Sequence, residues 1–237
     1  MTTIEPAGVT EVLAILGHDE PGPPVTETAA AIARLAGGEV RQVRLAAGLS
    51  PQQAARQVMR ALHQPRTVSG VLAAGELSRP LWQRVAQQSA KPVVLVPPEA
   101  REQPPRIRRV LLPLDGTTRS ASAVAGTAER LARVGAEIVV LHVFDAQTVP
   151  KFWNQHAHAG QAWGQEFLAR YCALPGARLE LRSGTAAEHV VKVAGTEQAD
   201  MIALGWSQRL EPGRALVVQR AVLDAGVPVM LVPMPAD

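Results

Sequence analysis

The chain is short of cysteine, lysine and aromatic residues, and each shortage narrows what it is. Its single cysteine, Cys172, cannot form a disulfide within the chain, which points to a reducing compartment such as the cytoplasm. The lysines are only Lys91, Lys151 and Lys192, so the basic residues, 24 against 21 acidic ones, are almost all arginine. The tightest basic cluster, Arg106-Ile-Arg-Arg109, is too short for a phosphate-backbone footprint, and no nucleic-acid partner is expected. No apolar run approaches the ~20 residues of a membrane span. The opening Met1-Thr-Thr-Ile-Glu-Pro6 has no basic, apolar leader character, so no membrane role is expected either. Gly-x-Gly-x-x-Gly and Gly-x4-Gly-Lys-Ser/Thr are both absent, which argues against the usual dinucleotide and P-loop sites.

What the sequence does have is apolar material and internal order. Hydrophobic residues make up 47% of the 237, enough for one large or two small domains. Val12-Leu-Ala-Ile-Leu-Gly17 resembles Val110-Leu-Leu-Pro-Leu-Asp115, each a short buried-strand run ending in a turn. An alanine-rich helical stripe follows each: Val25, Ala29, Ile32, Leu35 in one, Val124, Ala128, Leu131, Val134 in the other. Both helices stop near glycine and lead to another strand, at 39–45 and 138–144. Gly70-Val-Leu-Ala-Ala-Gly75 then matches Asp200-Met-Ile-Ala-Leu-Gly205, and Lys91-Pro-Val-Val-Leu-Val-Pro97 matches Val227-Pro-Val-Met-Leu-Val-Pro233. The same elements in the same order, twice, indicate a duplication.

The halves are unequal. In the second, a helix at 151–173 and a strand at 177–182 stand between the strand at 138–144 and the helix starting near Thr185. In the first, the strand at 39–45 runs almost directly into a helix capped by Ser50-Pro51. The fold class is therefore α/β, two doubly wound parallel-sheet domains, the first truncated. The domains are expected at 1–98 and 107–237, joined by a proline-rich linker at 99–106.

Ligands of open α/β sheets sit beyond the carboxyl ends of the strands, where strand order reverses. That directs attention to Pro113-Leu114-Asp115, Val143, and Leu204-Gly205-Trp206. These strand ends, with Leu141-His-Val143 and the terminal Val227-Pro-Val-Met-Leu-Val-Pro233, resemble the universal stress protein family over 106–233, and in degenerate form over 10–97. The resemblance implies a tandem member with an adenine-nucleotide-hydrolase-like fold. In ATP-binding members an aspartate ends the first strand, and a loop of pattern Gly-x2-Gly-x9-Gly-Ser/Thr follows the fourth. Here Asp115 and Gly205 match, but Gln208 holds the second glycine position and Leu216-Val217 stand where Gly-Ser belongs. In the first half Gly17 replaces the aspartate, and Glu76-Leu-Ser-Arg-Pro-Leu-Trp82 has no glycine.

Six of the eight aromatic residues fall between Phe144 and Tyr171, and Phe152, His156, Ala159, Trp163, Phe167 and Tyr171 share one helical face. The simpler reading packs this stripe on the sheet; the sharper one makes it the wall of a pocket near Asp115, with Trp206 and Trp82 near the mouths of the two sites. His156-x-His158 with Cys172 has poor metal geometry, because residues two apart diverge on a helix. Cys172 reads as packing, His142 as a satisfied buried histidine, and Thr117, Thr118, Ser120 and Ser122 as helix-capping residues.

The expectation is a cytoplasmic, non-enzymatic stress-response protein with no resident cofactor, acting by small-ligand sensing or partner binding. The ligand would be apolar or adenosine-like, held at Pro113, Leu114, Asp115, Val143, Leu204, Gly205, Trp206 and Arg209, with ATP or adenosine nucleotide binding weakly at best. The alternative is a nucleotide-binding protein with slow ATP hydrolysis, in which Arg209 and Arg214 replace the lost backbone cradle. The resemblance also implies pairing through terminal strands, so Pro92-Val-Val-Leu-Val96 and Pro228-Val-Met-Leu-Val232 are expected to pair within the chain as a pseudo-dimer; pairing between chains is compatible with the same edge chemistry. The identity of any protein partner is not encoded in a motif.

Overall fold

β-branched and leucine runs flanked by turn residues become the strands, and the alanine-rich stripes become the helices that cover them. A computed structural model describes residues 9–18, 22–75, 78–100, 106–145, 148–149, 157–209 and 215–234. The first half runs β1 (Glu11–Leu16), α1 (Pro23–Ala36), β2 (Glu39–Arg44), α2 (Pro51–Leu62), β3 (Thr67–Ala73), α3 (Arg79–Gln88) and β4 (Val93–Val96). The second runs β5 (Arg109–Pro113), α4 (Thr118–Arg133), β6 (Glu137–Phe144), α5 (Ala157–Tyr171), β7 (Arg178–Ser183), α6 (Ala186–Thr196), β8 (Met201–Trp206), α7 (Leu216–Asp224) and β9 (Val229–Pro233). The repeat is thus real at the level of elements, and the first half lacks the equivalents of α5 and β7.

Local chemistry sets the element ends. Ser50 caps α2 in a reciprocal capping box with Gln53, and proline opens the helix. Thr117 caps α4 by accepting from the Ser120 backbone N–H at 3.2 Å. α1 stops at Gly37, whose φ of 62° is left-handed.

All nine strands form one sheet in the order β2-β1-β3-β4-β9-β8-β5-β6-β7. Every neighbouring pair is parallel except β4 and β9, which run antiparallel with Val93 opposite Leu231, Val94 opposite Met230 and Leu95 opposite Val229. The two parallel sheets expected from the sequence therefore merge into one, through the two strands expected to pair. Side chains at this joint are at most 5% exposed. Burying each valine, leucine or methionine there contributes roughly 1.5–3 kcal/mol. α2, α3, α6 and α7 cover one face of the sheet and α1, α4 and α5 the other, giving two core layers that each span both halves. Among the described residues, no helix is long and apolar enough to cross a membrane.

Candidate functional site at the second-half switch point

Strand order in the second half reverses between β5 and β8: from β5 the chain moves outward to β6 and β7, then returns to β8 and β9. Helices following β5 and β8 leave on opposite faces, so a crevice opens at the carboxyl ends of these strands. A cavity of about 900 Å³ occupies it. Its floor is the ends of β5, β6 and β8, and α5 supplies an aromatic wall.

Asp115 follows β5 directly. Its Oδ1 accepts from the Thr117 N–H at 2.9 Å, the Thr117 hydroxyl at 2.7 Å and the Ser120 hydroxyl at 2.5 Å. These bonds build the turn into α4, so the turn-capping role of an aspartate is filled by one oxygen. Oδ2 has no partner among the described residues, and the side chain is exposed at the cavity. Gly116 completes the turn with a φ of 81°. A Cβ there would also lie 3.3 Å from His142 Cε1, so both backbone conformation and space favour glycine.

His142 lies on β6, 8% exposed, with Nδ1 2.8 Å from the Leu114 carbonyl oxygen. Phe144 meets its ring edge-on at 4.7 Å between centroids, and Phe167 and Trp163 lie at 4.7 and 5.6 Å. Trp163 stacks on Phe167 at 5.0 Å, and Phe167 contacts Tyr171 at 4.8 Å. Spacing of four along α5 puts all three of these rings on one side. Phe167 is buried in the core, whereas Trp163, Phe167 and Tyr171 all line the cavity, so packing and pocket readings of the stripe both describe it. Phe152 and His156 lie outside the described residues.

Seven of the expected site residues converge on the cavity: Pro113, Leu114, Asp115, Val143, Leu204, Gly205 and Trp206. Arg209 is exposed and is not among the lining residues, while Arg214 lies outside the described residues. Trp206 differs from expectation in its orientation. It is 2% exposed, and its indole N–H donates across to the Ala86 carbonyl of α3 at 2.9 Å. Trp82 departs further. It is 1% exposed inside the core, because Trp82, Val85 and Ala86 form the inward stripe of α3 and leave no indole at a first-half mouth.

The segment after β8 is also tied to the first half. Gln208 takes the left-handed conformation at φ 62°, and its amide donates to the Ser89 carbonyl at 2.7 Å. Leu216 opens α7 exposed, and Val217 and Val218 line the cavity. The only charged side chains among the described lining residues are Asp115 and Asp145. Cys172 is buried, which pushes its thiol pKa up, consistent with packing. No cluster of His, Cys, Asp and Glu among the described residues could hold a metal ion.

His142 is buried and hydrogen-bonded, as expected of it, and also lines the cavity; its place at the carboxyl end of β6, beside Val143, is the sequence signal for that second position.

Fold and crevice together define an open α/β protein with a cavity at its topological switch point, the place where ligands of such sheets sit. The universal stress protein family model matches residues 106–233, and the chain belongs to that family. Among solved structures it is similar to a functionally unknown protein from Pseudomonas aeruginosa, at 14% identity over 95% of this chain and 93% of that one, with a TM-score of 0.62. It is similar also to a universal stress protein from Archaeoglobus fulgidus, at 14% identity over 97% of this chain and 88% of that one, with a TM-score of 0.58. No curated protein matches the sequence.

Proposed function

We propose that this protein is a non-enzymatic sensor of a small planar or adenosine-like ligand, bound in the second-half cavity, and that it has given up the phosphate grip of ATP-binding relatives. The observation that carries this reading is the cavity's lining: aromatic rings and two carboxylates, with neither lysine nor arginine among the described lining residues. Phosphates brought beside Asp115 and Asp145 would be repelled. Where a glycine-rich loop would present backbone N–H groups, Gln208 is engaged with Ser89, and Val217 and Val218 put apolar bulk into the cavity. Ala215, the N-cap of α7, has no side-chain cap and no hydroxyl for a phosphate oxygen.

The alternative, slow ATP hydrolysis, needs a cation at the phosphates, and Arg209 is not among the lining residues. In this reading residues 1–98 are a structural partner unit, residues 107–237 carry the ligand, and residues 99–106 connect them. A single buried free thiol fits a cytoplasmic setting.

Fluorescence titration tests the proposal, because Trp163 and Trp206 line the cavity. Adenosine is expected to change the emission and to bind about tenfold more tightly than ATP with Mg²⁺. Micromolar, Mg²⁺-dependent ATP binding overturns the reading and restores the hydrolytic alternative.

A further inference from the structure

We infer that His142 selects the ligand, and that the ligand is an uncharged or cationic flat ring presenting an N–H donor to the Nε2 of this histidine. The inference rests on the ligand-sensing reading above and specifies its chemistry.

The Leu114 carbonyl can only accept, so Nδ1 of His142, 2.8 Å away, carries the proton. In the neutral imidazole Nε2 is then a bare lone pair. No described residue donates to it, and the ring lines the cavity, so Nε2 is the polar atom of His142 left for a ligand. It is also fixed in place. Phe144 and Phe167 hold the ring at centroid distances of 4.7 Å, Trp163 at 5.6 Å, and the Gly116 turn abuts Cε1. The result is a rigid acceptor in an otherwise mostly apolar pocket.

A ligand that places another acceptor there leaves two lone pairs facing each other, each stripped of water. One that places an N–H there satisfies the lone pair with a hydrogen bond. Asp115 strengthens the preference: its three hydrogen bonds all go to Oδ1, and Oδ2 is a second acceptor at the same cavity. Both groups favour donors, and the carboxylate favours neutral or positive charge over negative.

Adenosine and purine riboside separate this inference from the broader one, because they share ribose and ring shape and differ only in the amino donor at the purine six position. Calorimetric titration of the wild-type chain is expected to give adenosine about a tenfold or greater advantage. His142→Phe keeps a ring in the aromatic cluster and removes both nitrogens; its affinities for the two nucleosides are expected to become equal, with folding checked by thermal unfolding. Equal wild-type affinities overturn the inference while leaving the ligand-sensing reading intact, and this comparison stands even if the variant does not fold. Unchanged discrimination in a folded His142→Phe overturns it as well. Binding of neither nucleoside removes the adenosine-like reading itself, and the role of His142 falls with it.

Discussion

The two halves follow one chain order, yet their hollows lie at opposite ends of their own strands, which the antiparallel joint brings to the same edge of the sheet. In the second half the cavity opens at the carboxyl ends of β5, β6 and β8, lined by Asp115, His142 and the rings of α5. In the first half a groove of about 600 Å³ lies toward the amino ends, where Glu11 opens β1 and Arg66 precedes β3, with Arg41 and Arg60 along its sides. The aromatic wall of the second-half cavity comes from α5, which has no counterpart in the first half, and Gly17 stands where Asp115 would be. What both halves retain is the terminal strand, β4 or β9, and the helix before it. The joint and the cavity are thus separable: the first half keeps the parts that join and lacks the α5 wall and the aspartate that line the cavity.

The largest expected effect comes from breaking the joint. Val94 is 0% exposed opposite Met230, so Val94→Asp buries a carboxylate between the halves. Chemical denaturation is expected to show a loss of at least about 3 kcal/mol, against a change within about 0.5 kcal/mol for the same substitution at the exposed Val9. A small loss at Val94 would mean that the halves stand independently.

Trp206→Phe asks whether the first half braces the cavity. It removes the indole N–H and leaves the buried Ala86 carbonyl without that donor, an expected cost of about 1–3 kcal/mol. Adenosine affinity is expected to fall with it, since Trp206 also lines the cavity. Lost stability with unchanged affinity would make the contact purely structural.

Glu137 gives the smallest effect. At the start of β6 it accepts from Arg109 and Arg178, both at 2.7 Å, and the hydrogen bonds from Arg178 and then Arg109 hold its carboxyl below the ordinary value of 4.5. Because the folded-state value is the lower one, this stabilisation is present above about pH 4.5 and is lost as pH falls through the depressed value. Glu137→Gln is therefore expected to flatten the acid side of the stability curve by about 1 kcal/mol or less, given that the pair is one-third exposed or more.

Much of the fold was legible because parallel strands buried on both faces show themselves as continuous apolar runs, and Val110 to Leu114 or Val93 to Val96 have few alternatives. The missing strand and helix of the first half were equally visible, since Leu45 and Ser50 leave no room between them. The cavity floor followed from topology, which places strand ends together. Orientation was not legible. Trp82 and Trp206 each stand a few residues from a strand-ending glycine, but only tertiary packing turns one wholly into the core and the other toward Ala86. The cavity position of His142 was harder to see for a related reason: β-strand alternation says which face a residue takes, and not that the next helix leaves its ring at a cavity.

A junction formed within a single polypeptide has no second-order association step. Lowering the protein concentration does not separate β4 from β9, so the indole of Trp206 keeps its anchor on α3 at any expression level. Covalent fusion also releases the halves from symmetry. In a dimer of identical chains every substitution appears twice, whereas here Gly17 and Asp115 can occupy equivalent places in one molecule, and one half can diverge without altering the other.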